Sequence, residues 1–133
     1  MMSLGKIYTF SPCFRAEKSA TIKHLSEFWM IESEMSFYDL KETVQFAEKF
    51  VKYIIDYVLQ KCRYEFLQLE IDVTEYHRLI SQPWIKLRYV EVCQQFGLEY
   101  GEHISSEFEK RLVEAFTVPV FVTEYPKELK PFY

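Results

Sequence analysis

Two runs of alternating side chains, Tyr8 to Glu17 and Glu27 to Met35, occupy the first quarter of this 133-residue chain. A period of two is the pattern of an extended strand whose two faces meet different surroundings. In the first run Tyr8, Phe10, Phe14 and Ala16 fall on one face, with Thr9, Ser11, Cys13, Arg15 and Glu17 on the other. In the second, Trp29, Ile31 and Met35 share a face, and Phe28, Met30, Glu32 and Glu34 share the opposite one. Paired as an antiparallel hairpin, the runs make one greasy surface, expected to be the buried one. The other surface presents Arg15, Glu17, Phe28 and Glu32 together, and the connecting loop adds Lys18, Lys23 and His24.

That second surface has a definite chemistry. A guanidinium grips phosphate or carboxylate oxygens through two hydrogen bonds at once. An aromatic ring can stack on a nucleobase, and carboxylates accept from amino groups or help hold a metal. The chain has neither a Gly-x-x-x-x-Gly-Lys loop nor a Gly-x-Gly-x-x-Gly turn. A nucleotide bound here would therefore be held by side chains on a strand surface rather than by a glycine cradle.

Composition narrows the class. Hydrophobic residues make up 49% and aromatics 18%, enough for a packed core in one domain or part of one. A net charge of -4 argues against a binder whose whole surface meets nucleic acid. Cys13, Cys62 and Cys93 are odd in number and lack a Cys-x-x-Cys pair, which points to a reduced, cytoplasmic chain. His24, His77 and His103 show no ligand spacing, so no residue is assigned to a metal. No apolar run approaches the ~20 residues that span a bilayer, so no membrane is expected. Nor does the start read as a signal peptide. Residues 1–4 read as a cloning remnant and are left out of the fold reasoning.

Further along, Asp39 with Glu42 forms a capping box for a helix from Leu40 to about Cys62. Its expected inner stripe is Leu40, Val44, Ala47, Val51, Ile54 and Val58, widened by Phe46, Phe50 and Ile55, with Glu42, Glu48, Lys49 and Lys52 on the solvated side. Arg63 to Ile71 is ambiguous. Asp72 to Ser81 reads as a short helix, Trp84 to Arg88 as a strand, and Tyr89 to Phe96 as a helix ended by Gly97. Ser106 with Glu109 is a second capping box, opening a helix whose inner residues are Phe108, Leu112, Val113 and Phe116. Val118 to Thr123 is a buried strand, Pro126 and Pro131 punctuate a turn and short helix, and Phe132-Tyr133 begins another strand. The sum is an α+β fold: an antiparallel sheet backed by helices.

Phe14-Arg15-Ala16-Glu17, a loop, and then His24-Leu25-Ser26-Glu27-Phe28-Trp29-Met30-Ile31-Glu32 resemble motif 2 of the class II aminoacyl-tRNA synthetases, in the wording of their asparaginyl members. Tyr100-Gly101, Ser105-Ser106-Glu107 and the run from Tyr125 to Tyr133 resemble later segments of the same catalytic domain, in order. The resemblance covers residues 5–133 as a partial catalytic domain. The motif 2 hairpin lies at about 6–36, a helical and insert region at 39–117, and a strand and turn region at 118–133.

The resemblance implies ATP-dependent activation of asparagine to asparaginyl-adenylate, then transfer to tRNA. It implies that Arg15 grips the α-phosphate and the amino acid carboxylate, and that Glu17 contacts the nucleotide. Phe28 would stack on adenine, while Lys23, His24 and Leu25 close over the outer phosphates. Lys23 stands where many relatives have arginine, which keeps charge but gives up the bidentate fork. Glu32 would select the amide by accepting from its NH2 and repelling aspartate. Ser106 would line the amino acid pocket. Taken alone, each residue has a plainer account: Arg15 and Glu17 as a surface ion pair of ~0–1 kcal/mol, Phe28 as core, His24 as an ordinary loop residue, Glu32 as structural.

Implied partners are ATP, asparagine and tRNA, with Mg2+ held mostly by residues outside this chain, in a homodimer. Neither a motif 1, an anticodon-binding barrel nor the Gly-x-Gly-x-x-x-Glu-Arg of motif 3 is recognisable, so the 133 residues alone are expected to be inactive. Two other readings stay open: an aspartyl-type or asparagine synthetase-type enzyme, and a synthetase-derived binding module without catalysis.

Overall fold

The structure is a computed structural model that describes residues 3–16, 18 and 24–130. Glu17, Lys23 and the strand expected at Phe132-Tyr133 lie outside the described residues. The chain divides into two compact units, Met1–Thr43 and Val44–Tyr133.

The first unit is a hairpin. β1 (Lys6–Phe14) and β2 (Glu27–Met35) pair antiparallel, from Lys6 opposite Met35 to Phe14 opposite Glu27. The ladder extends one step beyond β1, because the Arg15 amide donates to the Ser26 carbonyl at 2.9 Å. Directly opposite residues share a face, so the register gives the two faces read from the sequence. Their burial is the reverse of the expectation. Tyr8 (76% exposed), Phe14 (71%), Trp29 (61%) and Phe10 (58%) stand open to solvent on the greasy face, with Phe10 and Trp29 ring centroids 4.9 Å apart. Half-buried Ser11, Cys13, Phe28 and Met30 lie on the other.

α1 (Leu40–Lys61) starts where expected. The Asp39 carboxylate accepts from the amides of Lys41 and Glu42, while the Asp39 amide donates to the Glu42 carboxylate, closing the capping box. The inner face is not the expected stripe. Val51, Ile54 and Val58 are exposed, whereas Leu59 is buried and Glu48 and Lys52 are largely covered. Glu48, read from the sequence as solvated, accepts from the Trp84 amide (3.1 Å) and pairs with Lys52 (2.8 Å) and Lys86 (3.7 Å). Lys52 in turn donates to the Gln82 carbonyl and lies over the Trp84 ring. A polar clamp, not an apolar stripe, fastens α1 to residues 82–86.

The ambiguous stretch holds α2 (Arg63–Gln68), followed by α3 (Thr74–Ser81). β3 (Ile85–Arg88) then pairs with β4 (Val120–Thr123), and this pair is parallel, a feature absent from the sequence reading. α4 (Tyr89–Phe96) and α5 (Ser106–Phe116) lie in the connection between the two strands. α4 ends at Gly97 with φ 72°, a left-handed closure that glycine adopts without a Cβ clash. α5 is capped by Ser105, whose hydroxyl accepts from the Phe108 amide at 3.2 Å; the cap expected at Ser106 sits one residue earlier. The core is Val92, Phe108 and Leu112, packed by Leu87, Phe96, Leu98, Ile104, Phe116 and Val122. Val113, expected inside, is exposed. The Pro126 turn leads into a short 3-10 helix, Lys127–Leu129.

Candidate functional site

The strip of side chains carried by one face of the hairpin is built by register. Reading from the loop end, Arg15 follows Cys13, which is opposite Phe28; Ser11 is opposite Met30, Thr9 opposite Glu32, and Ile7 opposite Glu34. Alternation forces all of these onto one face. The Arg15 guanidinium lies 5.4 Å from the Phe28 ring centroid, a cation over an aromatic face. Glu32 sits four residues beyond Phe28, about 13 Å along an extended strand. One end of the strip thus offers a cation and an aromatic plane, and the far end offers carboxylates. An elongated ligand with a base and phosphate at one end and a hydrogen-bonding group at the other matches that order.

Of the residues marked by the sequence, Arg15, Phe28 and Glu32 are brought together on this face. Arg15 and Glu32 are exposed, and Phe28 is half-buried. His24 and Leu25 are exposed at the loop end beside Ser26. Glu17 and Lys23 fall outside the described residues. Ser106 belongs to the second unit, in the first turn of α5. The sequence reading did not single out Thr9 or Cys13 as site residues. Their positions opposite Glu32 and Phe28 follow only from the register, which the Arg15–Ser26 hydrogen bond closes.

The second unit contains a cavity of about 290 Å3 lined by Ile104, Glu109, Leu112, Val113, Val120, Val122 and Tyr125. Burial pushes the Tyr125 phenol above its usual value, and the nearby Glu109 carboxylate adds to the rise. Among the described residues no group of three or more His, Cys, Asp or Glu is arranged to hold a metal ion.

Comparison with known proteins decides the family. The model of the class II tRNA synthetases (D, K and N) matches residues 1–133. The chain belongs to this family. An asparagine–tRNA ligase of Cytophaga hutchinsonii is 41% identical over 147 residues, covering 99% of this chain and 32% of that protein. A probable mitochondrial asparagine–tRNA ligase of Dictyostelium discoideum is 44% identical over 142 residues, with 98% and 31% covered. The asparaginyl-tRNA synthetase of Pyrococcus horikoshii, solved with asparaginyl-adenylate, superposes with a TM-score of 0.86 at 33% identity, covering 97% of this chain and 31% of that one. The chain spans about a third of the length of the synthetases it matches. The α+β class read from the sequence is the class of these synthetases.

Proposed function

We propose that this chain supplies the nucleotide and amino acid face of an asparagine–tRNA ligase. The observation that carries the reading is the Arg15 guanidinium over the Phe28 ring, with Glu32 further along the same strand face. Membership of the synthetase family and the similarity to asparagine–tRNA ligases support it.

The reaction is two displacements. A carboxylate oxygen of asparagine attacks the α-phosphorus of ATP, and the bond to pyrophosphate breaks. A ribose hydroxyl of tRNA then attacks the acyl carbon, and AMP leaves. Neither step needs a covalent protein nucleophile. Such transfers depend on holding the reactants in line and neutralising charge. Arg15 is the catalytic residue, its fork spanning the α-phosphate and the amino acid carboxylate where negative charge gathers. Phe28 stacks on adenine; Glu17 contacts the nucleotide, and Lys23, His24 and Leu25 close over the outer phosphates. Glu32 accepts from the asparagine amide and repels aspartate, and Ser106 contributes to the amino acid pocket.

Mg2+ would accompany the ATP phosphates, held mostly by residues outside this chain, and would neutralise charge on them. The enzyme works as a homodimer in the cytoplasm. The bacterial relative fits that compartment, a relative named as mitochondrial shows the other one open to the family, and no described helix is long and apolar enough to cross a membrane.

The test is amino acid-dependent ATP–pyrophosphate exchange by the full-length polypeptide that carries this segment. Exchange with asparagine and not aspartate is expected, and Arg15→Ala should lower it by ~100-fold or more, the scale of losing a preorganised transition-state donor. Exchange with aspartate alone would assign the aspartyl-type reading instead. Absence of exchange with either would leave a binding module.

A further inference from the structure

The outward side of α1 carries a row of cations and aromatic rings. Lys49, Tyr53, Tyr57 and Lys61 recur every four residues, and all four are exposed. A four-residue repeat sets successive side chains next to one another on a helix surface, here over about 18 Å. The rings stand open, Tyr53 66% and Tyr57 53% exposed, with centroids 6.3 Å apart and planes 31° from parallel. The Lys61 ammonium lies 6.0 Å from the Tyr57 centroid, at the outer limit of a cation–ring contact, so its charge remains available to an anion. Among the described residues neither Lys49 nor Lys61 has an ion pair. By the ~100° step of the helix, this row lies opposite the covered side formed by Glu48, Ile55 and Leu59.

A net charge of -4 restricts nucleic acid to a local patch, and this row has the composition of one. An aromatic ring takes a base by its π face whatever the sequence, and a lysine beside it meets the phosphate as a point charge. Two adjoining rings suit two neighbouring unstacked bases, and the lysines at either end suit the backbone that carries them. No carboxylate interrupts the row: Asp56, to one side of it, accepts from the Gln60 amide at 2.7 Å. A protein partner fits less well, because lysine is depleted where proteins bury one another and the apolar residues Val51, Ile54 and Val58 form a different stripe. We propose that the row Lys49, Tyr53, Tyr57 and Lys61 docks an unpaired stretch of the tRNA, with bases on the two tyrosines and phosphates on the two lysines. The inference rests on the tRNA ligase reading above and adds to it an RNA-binding surface on an element other than the hairpin.

The experiment is binding of asparagine tRNA to the full-length enzyme across a series of salt concentrations, with Tyr57→Phe, Tyr57→Leu and Lys61→Gln compared with the parent. Phenylalanine keeps the ring, whereas leucine keeps apolar bulk and forms helix at least as well, so α1 is preserved in both. Tyr57→Leu should raise the Kd at least ~5-fold, the scale of one lost stacked base, while Tyr57→Phe stays within ~2-fold. Lys61→Gln should reduce the slope of log affinity against log salt by ~0.7, the value for one single-strand phosphate. An unchanged Kd for Tyr57→Leu, a Tyr57→Phe as weak as Tyr57→Leu, or an unchanged slope for Lys61→Gln overturns the proposal. Unchanged tRNA affinity together with a lowered unfolding midpoint for Tyr57→Leu would overturn it in favour of a protein segment covering the row. The parent reading fails separately: it falls if the unmodified enzyme does not activate asparagine in pyrophosphate exchange, a reaction that needs no tRNA.

Discussion

Tyr89 is fully buried, yet its hydroxyl donates to the Glu102 carbonyl at 2.7 Å and accepts from the Gly101 amide at 3.0 Å. Its ring meets Tyr100 edge-on and Tyr125 at a tilt, so one side chain fixes the loop between α4 and α5. Burial raises the Tyr89 phenol above its ordinary value. Tyr89→Phe keeps the packing and strands two backbone groups. A loss of ~1–3 kcal/mol is expected, measured by urea unfolding, with faster amide exchange at Gly101. Glu48 makes a different argument. Burial opposes its ionisation, but the Lys52 hydrogen bond, the Trp84 amide and the charges of Lys52 and Lys86 together hold its carboxyl below the ordinary value of 4.5. A depressed acid stabilises the fold fully above its unfolded value and loses that contribution as pH falls through the folded value. Stability should therefore decline on acidification below about pH 4.5, and Glu48→Gln should flatten that decline. Unfolding midpoints of both proteins between neutral and acid pH check it. Phe37 has a left-handed backbone (φ 66°) and a fully exposed ring, so it carries strain without a contact in return. Phe37→Asn, a residue that tolerates this region, should raise stability by roughly 0.5–1 kcal/mol in the same unfolding assay.

At the scale of elements, whatever was set by neighbours in sequence was legible. The capping box at Asp39, the Gly97 stop and the two faces of the hairpin follow from spacing within a few residues. The α5 cap was misplaced because two serines stand together and spacing alone cannot tell which hydroxyl reaches the third amide. Ser105→Ala should cost about 1 kcal/mol of unit stability and more than Ser106→Ala, by chemical denaturation of the two variants. The covered face of α1 was also misread. Apolar residues occupy more than half of its circumference, and the side that is covered carries Glu48, Ile55 and Leu59, turned by roughly 80° from the expected stripe. Glu48 and Lys52 look like solvated residues until Trp84 and Gln82, 36 and 30 positions away, supply their partners. The site shows the same division. Arg15, Phe28 and Glu32 were visible from alternation, whereas the Thr9–Glu32 pairing needed a register that only the folded hairpin has.

For the whole molecule, the division at Thr43 and Val44 has a measurable meaning. The hairpin holds itself by its own ladder, and the second unit by the Val92, Phe108 and Leu112 core. Amide exchange should therefore sort into two groups, with β1 and β2 opening at lower free energy than α4, α5 and β4, since a lone two-stranded hairpin is marginal in water. The parallel pair β3–β4 was invisible in the sequence because each strand is four residues long and its partner lies 35 positions away. That separation governs the time course of folding as well. The nearest partners of the hairpin, Phe14 and Glu27, are 13 positions apart and meet by a short loop closure on a microsecond scale. β3 must wait for β4, with two helices between them, and longer closures are slower. A sticky element thus forms early, showing Tyr8, Phe10, Phe14 and Trp29, while the rest of the chain is still open. During refolding, collisions between these rings on different chains compete with closure of β3 against β4, so recovered yield should fall as protein concentration rises.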